Sequence, residues 1–282
     1  MKNKVIAIAG PTASGKTKLA IEMAQQLDTE IISADSRLVY KGFDIGTAKP
    51  TKEEQKLVKH YLIDVVEPEV DYSVADFADE AGKIIDEIHS RGKVPIIAGG
   101  TGLYFRILLE NYDLPRLEAN PELRAELETR DVEDLYNELL RLDPKAAEKI
   151  HKNNKVRVIR ALEVCKILNK PFSEACGLKD SAYDVEWIFP KIESREVLYD
   201  RINKRVDVMI QDGLIDETKY LLSKHGRIKN LVNTIGYQEI IQYLDGVCDL
   251  DTAIEEIKQN TRRYAKRQLT WFRRNPELNV NI

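Results

Sequence analysis

Short apolar runs alternate with amphipathic stretches over the first hundred residues. Val5 to Ala9 (VIAIA) is apolar and partly β-branched, as a buried parallel strand should be, and Lys18 to Leu27 reads as an amphipathic helix. Glu30 to Ala34, Leu62 to Val66 and Val94 to Ala98 repeat the strand pattern, the last ending in Gly99 and Gly100. This alternation predicts an α/β fold, a parallel sheet flanked by helices. From about Pro115 to Ser181 the period becomes helical, with Pro121 to Arg130, Val132 to Leu142 and Val156 to Leu168 as helices and no strand signal. Glu186 to Ile192 is strand-like again, and Arg195 to Arg274 reads as helical. The pattern therefore predicts a core of residues 1–114 and 182–282 around an all-helical insertion of 115–181. No internal repeat or low-complexity tract is present.

Between the first strand and the first helix lies GPTASGKT: Gly10, Pro11, Thr12, Ala13, Ser14, Gly15, Lys16 and Thr17. The spacing fits GxxxxGK[ST], a nucleotide-binding loop in which backbone N–H groups cradle phosphate oxygens, the lysine neutralises them and the hydroxyl helps hold Mg²⁺. A chance glycine-rich turn is the bland alternative, and the flanking strand and helix weigh against it. The fold class is accordingly P-loop NTPase-like. In such sheets ligands sit at the carboxyl ends of strands, so Asp35, Ser36 and Thr101, each just past a strand, should face the loop.

Composition excludes some partners. A hydrophobic share of 43% with 32% charged residues is ordinary for a globular protein, and a net charge of −4 argues against wholesale coating of nucleic acid. Any such partner needs a local basic patch. Lys258 to Pro276 contains Lys258, Arg262, Arg263, Lys266, Arg267, Arg273 and Arg274 without an acid, interleaved with Tyr264, Trp271 and Phe272; Lys149 to Arg160 is also basic and acid-free. Either alone is as well read as a solvated helix face, but together they favour a polyanion. Cys165, Cys176 and Cys248 form no CxxC pair, which fits a reducing compartment and makes a zinc site unexpected. The first residues enter a core strand almost at once, and no apolar run approaches the roughly 18 residues of a membrane span, so a cytoplasmic, unprocessed chain without a membrane partner is expected.

GPTASGKT, SADSRLVYKGFDIGTAKP, YSVADF, GGTGLYF, IRALEV, NTIGYQE and RRYAKRQLTWFRR, in this order and spacing, resemble the tRNA dimethylallyltransferase family over nearly the whole chain. The resemblance implies transfer of a dimethylallyl group from dimethylallyl diphosphate to the exocyclic amine of the adenosine 3′ of the anticodon, by a monomer that takes Mg²⁺ and binds the tRNA anticodon arm. The phosphates at the loop would then be a leaving group. The resemblance places the base on Asp35, a hydroxyl beside the reacting amine on Thr101, and a diphosphate contact on Arg205; Thr17 is the candidate Mg²⁺ contact. Read alone, Asp35 serves equally as a turn cap, Thr101 as a helix cap and Arg205 as a solvated helix residue. Segments that touch tRNA in the family fall here on Asp35, Ser36, Arg37 and Leu38, on Thr101, on Arg124, on Val156, Arg157, Val158, Ile159 and Arg160, and on Asn233, Thr234, Ile235, Gly236, Tyr237 and Gln238.

Two departures stand out. Leu38 replaces the family's usual glutamine, which puts one base contact in doubt, and Lys152, Asn153 and Asn154 replace its common Pro-Asn-Asp. No Cys/His finger follows the core, which points to the shorter bacterial form. A P-loop small-molecule kinase and a prenyltransferase of free adenine nucleotide share the loop but need no pair of basic segments. An RNA-binding module with a vestigial loop would not keep Lys16, Thr17, Asp35 and Thr101 together.

Overall fold

The computed structural model describes residues 2–113, 115, 120–178, 181–280 and 282. The chain divides into two compact units, Met1–Leu108 with Ala182–Ile282, and Leu109–Ser181. The division expected after residue 114 falls outside the described residues.

In chain order the larger unit begins with β1 (Asn3–Ala9), α1 (Lys16–Gln26), β2 (Ile31–Ala34), α2 (Lys52–Leu57), β3 (His60–Tyr61), α3 (Val74–Ser90), β4 (Ile96–Gly99) and α4 (Gly102–Leu108). The smaller unit holds β5 (Tyr112–Asp113), α5 (Pro121–Thr129), α6 (Val132–Leu142), α7 (Pro144–Lys149), α8 (Lys155–Leu168), α9 (Phe172–Ala175) and β6 (Gly177–Leu178). The chain then returns to the larger unit with β7 (Tyr183–Ile188), α10 (Arg195–Gln211), α11 (Leu214–His225), α12 (Lys229–Val232), α13 (Tyr237–Leu244) and α14 (Leu250–Phe272).

The main sheet runs β3-β2-β4-β1-β7, and its strands are parallel. Every strand therefore delivers its carboxyl end to one edge. One face packs on α1, whose Ala20, Ile21 and Ala24 meet Ile6, Ile8, Ile31 and Ile96. Trp187 precedes Ile188 in β7 and so points to the other face. There it lies 5.7 Å from Phe105 of α4, which in turn meets Phe272 of α14 at 6.1 Å. Helix α3 starts on a Ser73/Asp76 capping box and buries Phe77, Ala81, Ile85 and Ile88 at helical spacing, with Phe77 stacked 4.0 Å from Tyr104.

Strands β2 and β4 approach so closely that a Cβ on Gly99 would lie 2.1 Å from the Ala34 carbonyl oxygen. Gly99→Ala is expected to destabilise the unit by about 3 kcal/mol through this overpacking. A denaturant midpoint equal to that of the parent protein would show that the strands can part.

The expected strand at Leu62 to Val66 is shorter and earlier. Leu62 and Asp64 have φ of 61° and 55°, which breaks the extended backbone after Tyr61 and leaves Val66 only an isolated bridge to Tyr40. The last strand lies at Tyr183–Ile188 and stops before Pro190, a residue that cannot donate to a ladder. The insertion is built on helices, with Leu127, Leu135, Leu139, Val158, Ala161 and Leu162 in one core, but its ends also pair as the antiparallel ribbon β5-β6. Two-residue strands leave too little period to read from sequence. Asn154, where the family commonly has aspartate, still caps α8 by accepting from Arg157 N at 3.3 Å. Among the described residues no helix is long and apolar enough to cross a membrane.

Candidate active site

The carboxyl edge of the sheet opens into a cavity of about 740 Å³, within the usual range for small-molecule sites. The loop after β1 forms one wall. Ala13 and Gly15 take φ of 60° and 87°, which curls the loop and starts α1 at Lys16, two residues before the expected helix. The first backbone N–H groups of α1 have no intrahelical acceptor, and no side chain caps them. The Ser14 hydroxyl is buried without a partner. These free donors at a helix N-terminus make an anion cradle. Lys16 Nζ donates to the Pro11 carbonyl at 3.2 Å. Burial pushes its ammonium down to about 8, with the Asp35 carboxylate opposing and Arg205 adding to the fall. Arg205 of α10 donates to the Thr12 hydroxyl at 3.3 Å, and burial lowers its guanidinium while Glu54 opposes. Two cations therefore face the cradle at a cost that an anion would offset.

The ends of β2 and β4 form the next wall. The Thr101 hydroxyl accepts from Ser36 N at 3.1 Å, while Thr101 N donates to the Ala34 carbonyl at 3.1 Å, so the two strand ends are tied together. Asp35 Oδ1 accepts from Arg37 N at 2.9 Å. The turn-capping role is thus real, and Oδ2 keeps no partner among the described residues. Tyr264 of α14 lines the same cavity near Thr101; burial and then the Asp35 charge push its phenol up, so it stays protonated. One carboxylate therefore acts both on Lys16 of the anion cradle and on the Tyr264 phenol across the cavity. The arrangement can hold an anionic leaving group on one side of Asp35 and a polar acceptor on the other.

A family model described as IPP transferase matches residues 38–275. A tRNA dimethylallyltransferase of Halalkalibacterium halodurans is 49% identical over 280 residues, covering 97% of this chain and 89% of that protein. The tRNA dimethylallyltransferase of Acetivibrio thermocellus is 50% identical over 279 residues, covering 96% and 89%. Among solved structures, the full-length tRNA isopentenylpyrophosphate transferase of Bacillus halodurans matches with a TM-score of 0.72 at 46% identity, covering 98% of this chain and 89% of that one. A eukaryotic dimethylallyltransferase acting on tRNA matches with a TM-score of 0.84 at 32% identity, covering 96% and 70%.

The chain belongs to the IPP transferase family. Within the matched region, the segment DIGTAKP is held by a distant carboxylate. Glu217 of α11 accepts from the backbone N–H groups of Asp44, Ile45 and Gly46 and from the Tyr237 hydroxyl at 2.7 Å. A Cβ on Gly46 would lie 2.5 Å from the Tyr237 ring, so only glycine allows this contact. Lys49, almost fully enclosed, bridges Asp44 and Asp64. The loop so held presents Gly46, Thr47 and Ala48 to the cavity. Sequence reading missed Glu217 and its role, because three backbone donors converging on one distant carboxylate leave no local spacing signal.

The remaining expected site residues sort by exposure. Ser36, Arg37 and Leu38 line the cavity. Gln238 is exposed at the cavity, whereas Tyr237 is wholly buried and Thr234 donates its hydroxyl to the Asn230 carbonyl. Thr234 still lines the cavity, while Tyr237 supports the wall from behind. In the insertion, Val158 and Ile159 are enclosed in the core, whereas Val156, Arg157 and Arg160 are exposed. Arg124 and Arg160 both pair with the buried Glu163, at 3.6 and 3.4 Å.

The basic tail is more structural than its sequence implies. Lys258 is largely enclosed and pairs with Asp207 at 2.8 Å and Glu255 at 3.0 Å, and Arg262 donates to Asn203. Trp271 packs over Gly102 and Phe272 enters the core, so of the interleaved aromatics Tyr264 alone lines the cavity. Arg263, Lys266, Arg267, Arg273 and Arg274 remain exposed.

Proposed function

We propose that the chain transfers a dimethylallyl group from dimethylallyl diphosphate to the exocyclic amine of the adenosine just 3′ of the tRNA anticodon, releasing diphosphate. The observation that carries the reading is the position of Asp35, whose charge acts on Lys16 of the anion cradle and on Tyr264 beside Thr101. As the allylic C–O bond breaks, its electron pair passes to the diphosphate, which Lys16, Arg205 and the free N–H groups of the loop hold. The amine lone pair forms the new N–C bond, and the amine proton passes to Asp35 Oδ2, a carboxylate oxygen free to take it. Thr101 and Tyr264 orient the amine edge. The base must leave its stack to reach this cavity.

Mg²⁺ suits the donors present. The Thr17 hydroxyl lines the cavity without a partner, and no group of three His, Cys, Asp or Glu side chains that could hold a metal exists among the described residues. A cation that keeps waters and binds substrate phosphates needs little more than that hydroxyl. When bound, it would draw negative charge from the departing diphosphate. Action as a monomer in the cytoplasm, where the tRNA substrate is found, completes the proposal.

Incubation with radiolabelled dimethylallyl diphosphate and total tRNA, without ATP, should place label in adenosine on nucleoside analysis. An unlabelled tRNA, with label entering only free adenine nucleotide or phosphate moving only from ATP when these are supplied in parallel incubations, would sink the reading. The exposed cations of α14 and its C-terminal continuation supply a second check. Neutralising Arg263, Lys266 and Arg274 should make log affinity for tRNA fall less steeply with log salt, by roughly 0.7 per lost phosphate contact, with donor affinity unchanged. An unaltered slope would mark this face as merely solvated.

A further inference from the structure

Gln268 of α14 is 5% exposed and makes two hydrogen bonds in opposite senses. Its Oε1 accepts from Thr12 N at 2.9 Å, and its Nε2 donates to the Gly100 carbonyl at 2.9 Å. The amide orientation follows from its partners, since a flip would set donor on donor and acceptor on acceptor. A Cβ on Gly100 would lie 2.2 Å from Nε2, so the glycine leaves the room this amide occupies.

The two partners belong to different halves of the site. Thr12 is in the anion cradle, and its hydroxyl also receives Arg205. Gly100 directly precedes Thr101, whose hydroxyl receives the N–H of Ser36, the neighbour of Asp35. A single rigid amide thus links the segment that holds the leaving group to the segment that holds the acceptor. We propose that Gln268 is a positioning residue that sets the distance between the diphosphate cradle and the Thr101–Asp35 acceptor site; this rests on the transfer reading above. The physical reason is that in-line displacement needs its reacting atoms held at contact, and an error of about 1 Å can cost about 10²-fold. Gln268 lines the cavity with both ends of its amide committed to Thr12 and Gly100, and acts through those two residues.

Gln268→Met keeps length and bulk but removes both hydrogen bonds; Gly100→Ala displaces the amide while leaving Gln268 in place. Single-turnover transfer at saturating donor and tRNA should fall roughly 10- to 100-fold in both. Affinity for inorganic diphosphate and for tRNA should stay within a few-fold of the parent, and thermal unfolding should remain cooperative. A second readout does not depend on transfer. In the parent protein, inorganic diphosphate should slow amide hydrogen exchange in residues 10–17 and also in 99–105; in Gln268→Met the protection should be confined to 10–17. Wild-type transfer rates in both variants, or a loss of diphosphate affinity as large as the loss of rate, would overturn the proposal, as would protection of 99–105 that survives Gln268→Met. Absence of transfer by the parent protein would instead remove the function, and the exchange result would then judge the amide alone.

Discussion

Asp35→Asn is expected to lower single-turnover prenyl transfer by about 10²-fold or more while leaving the fold and diphosphate affinity intact. The fold should survive because asparagine keeps an Oδ1 that can accept from Arg37 N, so the turn after β2 stays capped. What disappears is the basic oxygen. An aromatic amine must lose a proton as its nitrogen bonds to carbon, and a neutral amide cannot take it. The rates of parent and variant at saturating donor and tRNA, with inorganic diphosphate affinity measured by calorimetry, decide the matter. Near-parental turnover would remove Asp35 from the base role and leave it as a turn cap.

Lys16→Met should weaken donor binding and slow transfer together, by about 10²- to 10³-fold in combination, because the ammonium acts on both the bound diphosphate and the departing one. Its lowered pKa adds a pH signature. The protonated form binds the anion, so diphosphate affinity of the ligand-free enzyme should be full below about 8 and fall as pH rises through that value. Lys16→Arg keeps its charge throughout this range and should lack the step. The ligand's own titration is common to both proteins, so the comparison isolates the lysine. The stability effect has the opposite sense: a depressed lysine pKa means the unfolded chain binds more protons, so this group's contribution rises between about 8 and 10.5. An identical affinity step in Lys16→Arg would assign it to another group.

Much of the architecture was legible because it rests on local pattern. The apolar runs at β1, β2 and β4, the 3.6-residue period of α6 and α8, and the GxxxxGK[ST] loop all state their structure within a dozen residues. Where pattern misled, a backbone conformation or a distant side chain intervened. Left-handed φ at Leu62 and Asp64 cut short a run that reads as strand, and the acid-free tail from Lys258 proved partly neutralised by Asp207, an acid about fifty positions away in sequence.

By itself the sequence determined the identity of the phosphate loop, the parallel sheet and its helical insertion, and, through motif order, the family. These depend on short-range spacing and on residue chemistry that does not change with context. Only the tertiary structure decided which of the marked residues line the cavity and which are buried behind it. Val158, Ile159 and Tyr237 sit in marked segments yet are buried, because a helix shows solvent only one side and the segment as a whole cannot declare which. Glu217 and Gln268 reached the site from helices more than 160 residues beyond the loops they hold. Their hydrogen bonds are to backbone groups, which every residue carries, so nothing in the composition of those loops could have named the partner before the chain closed on itself.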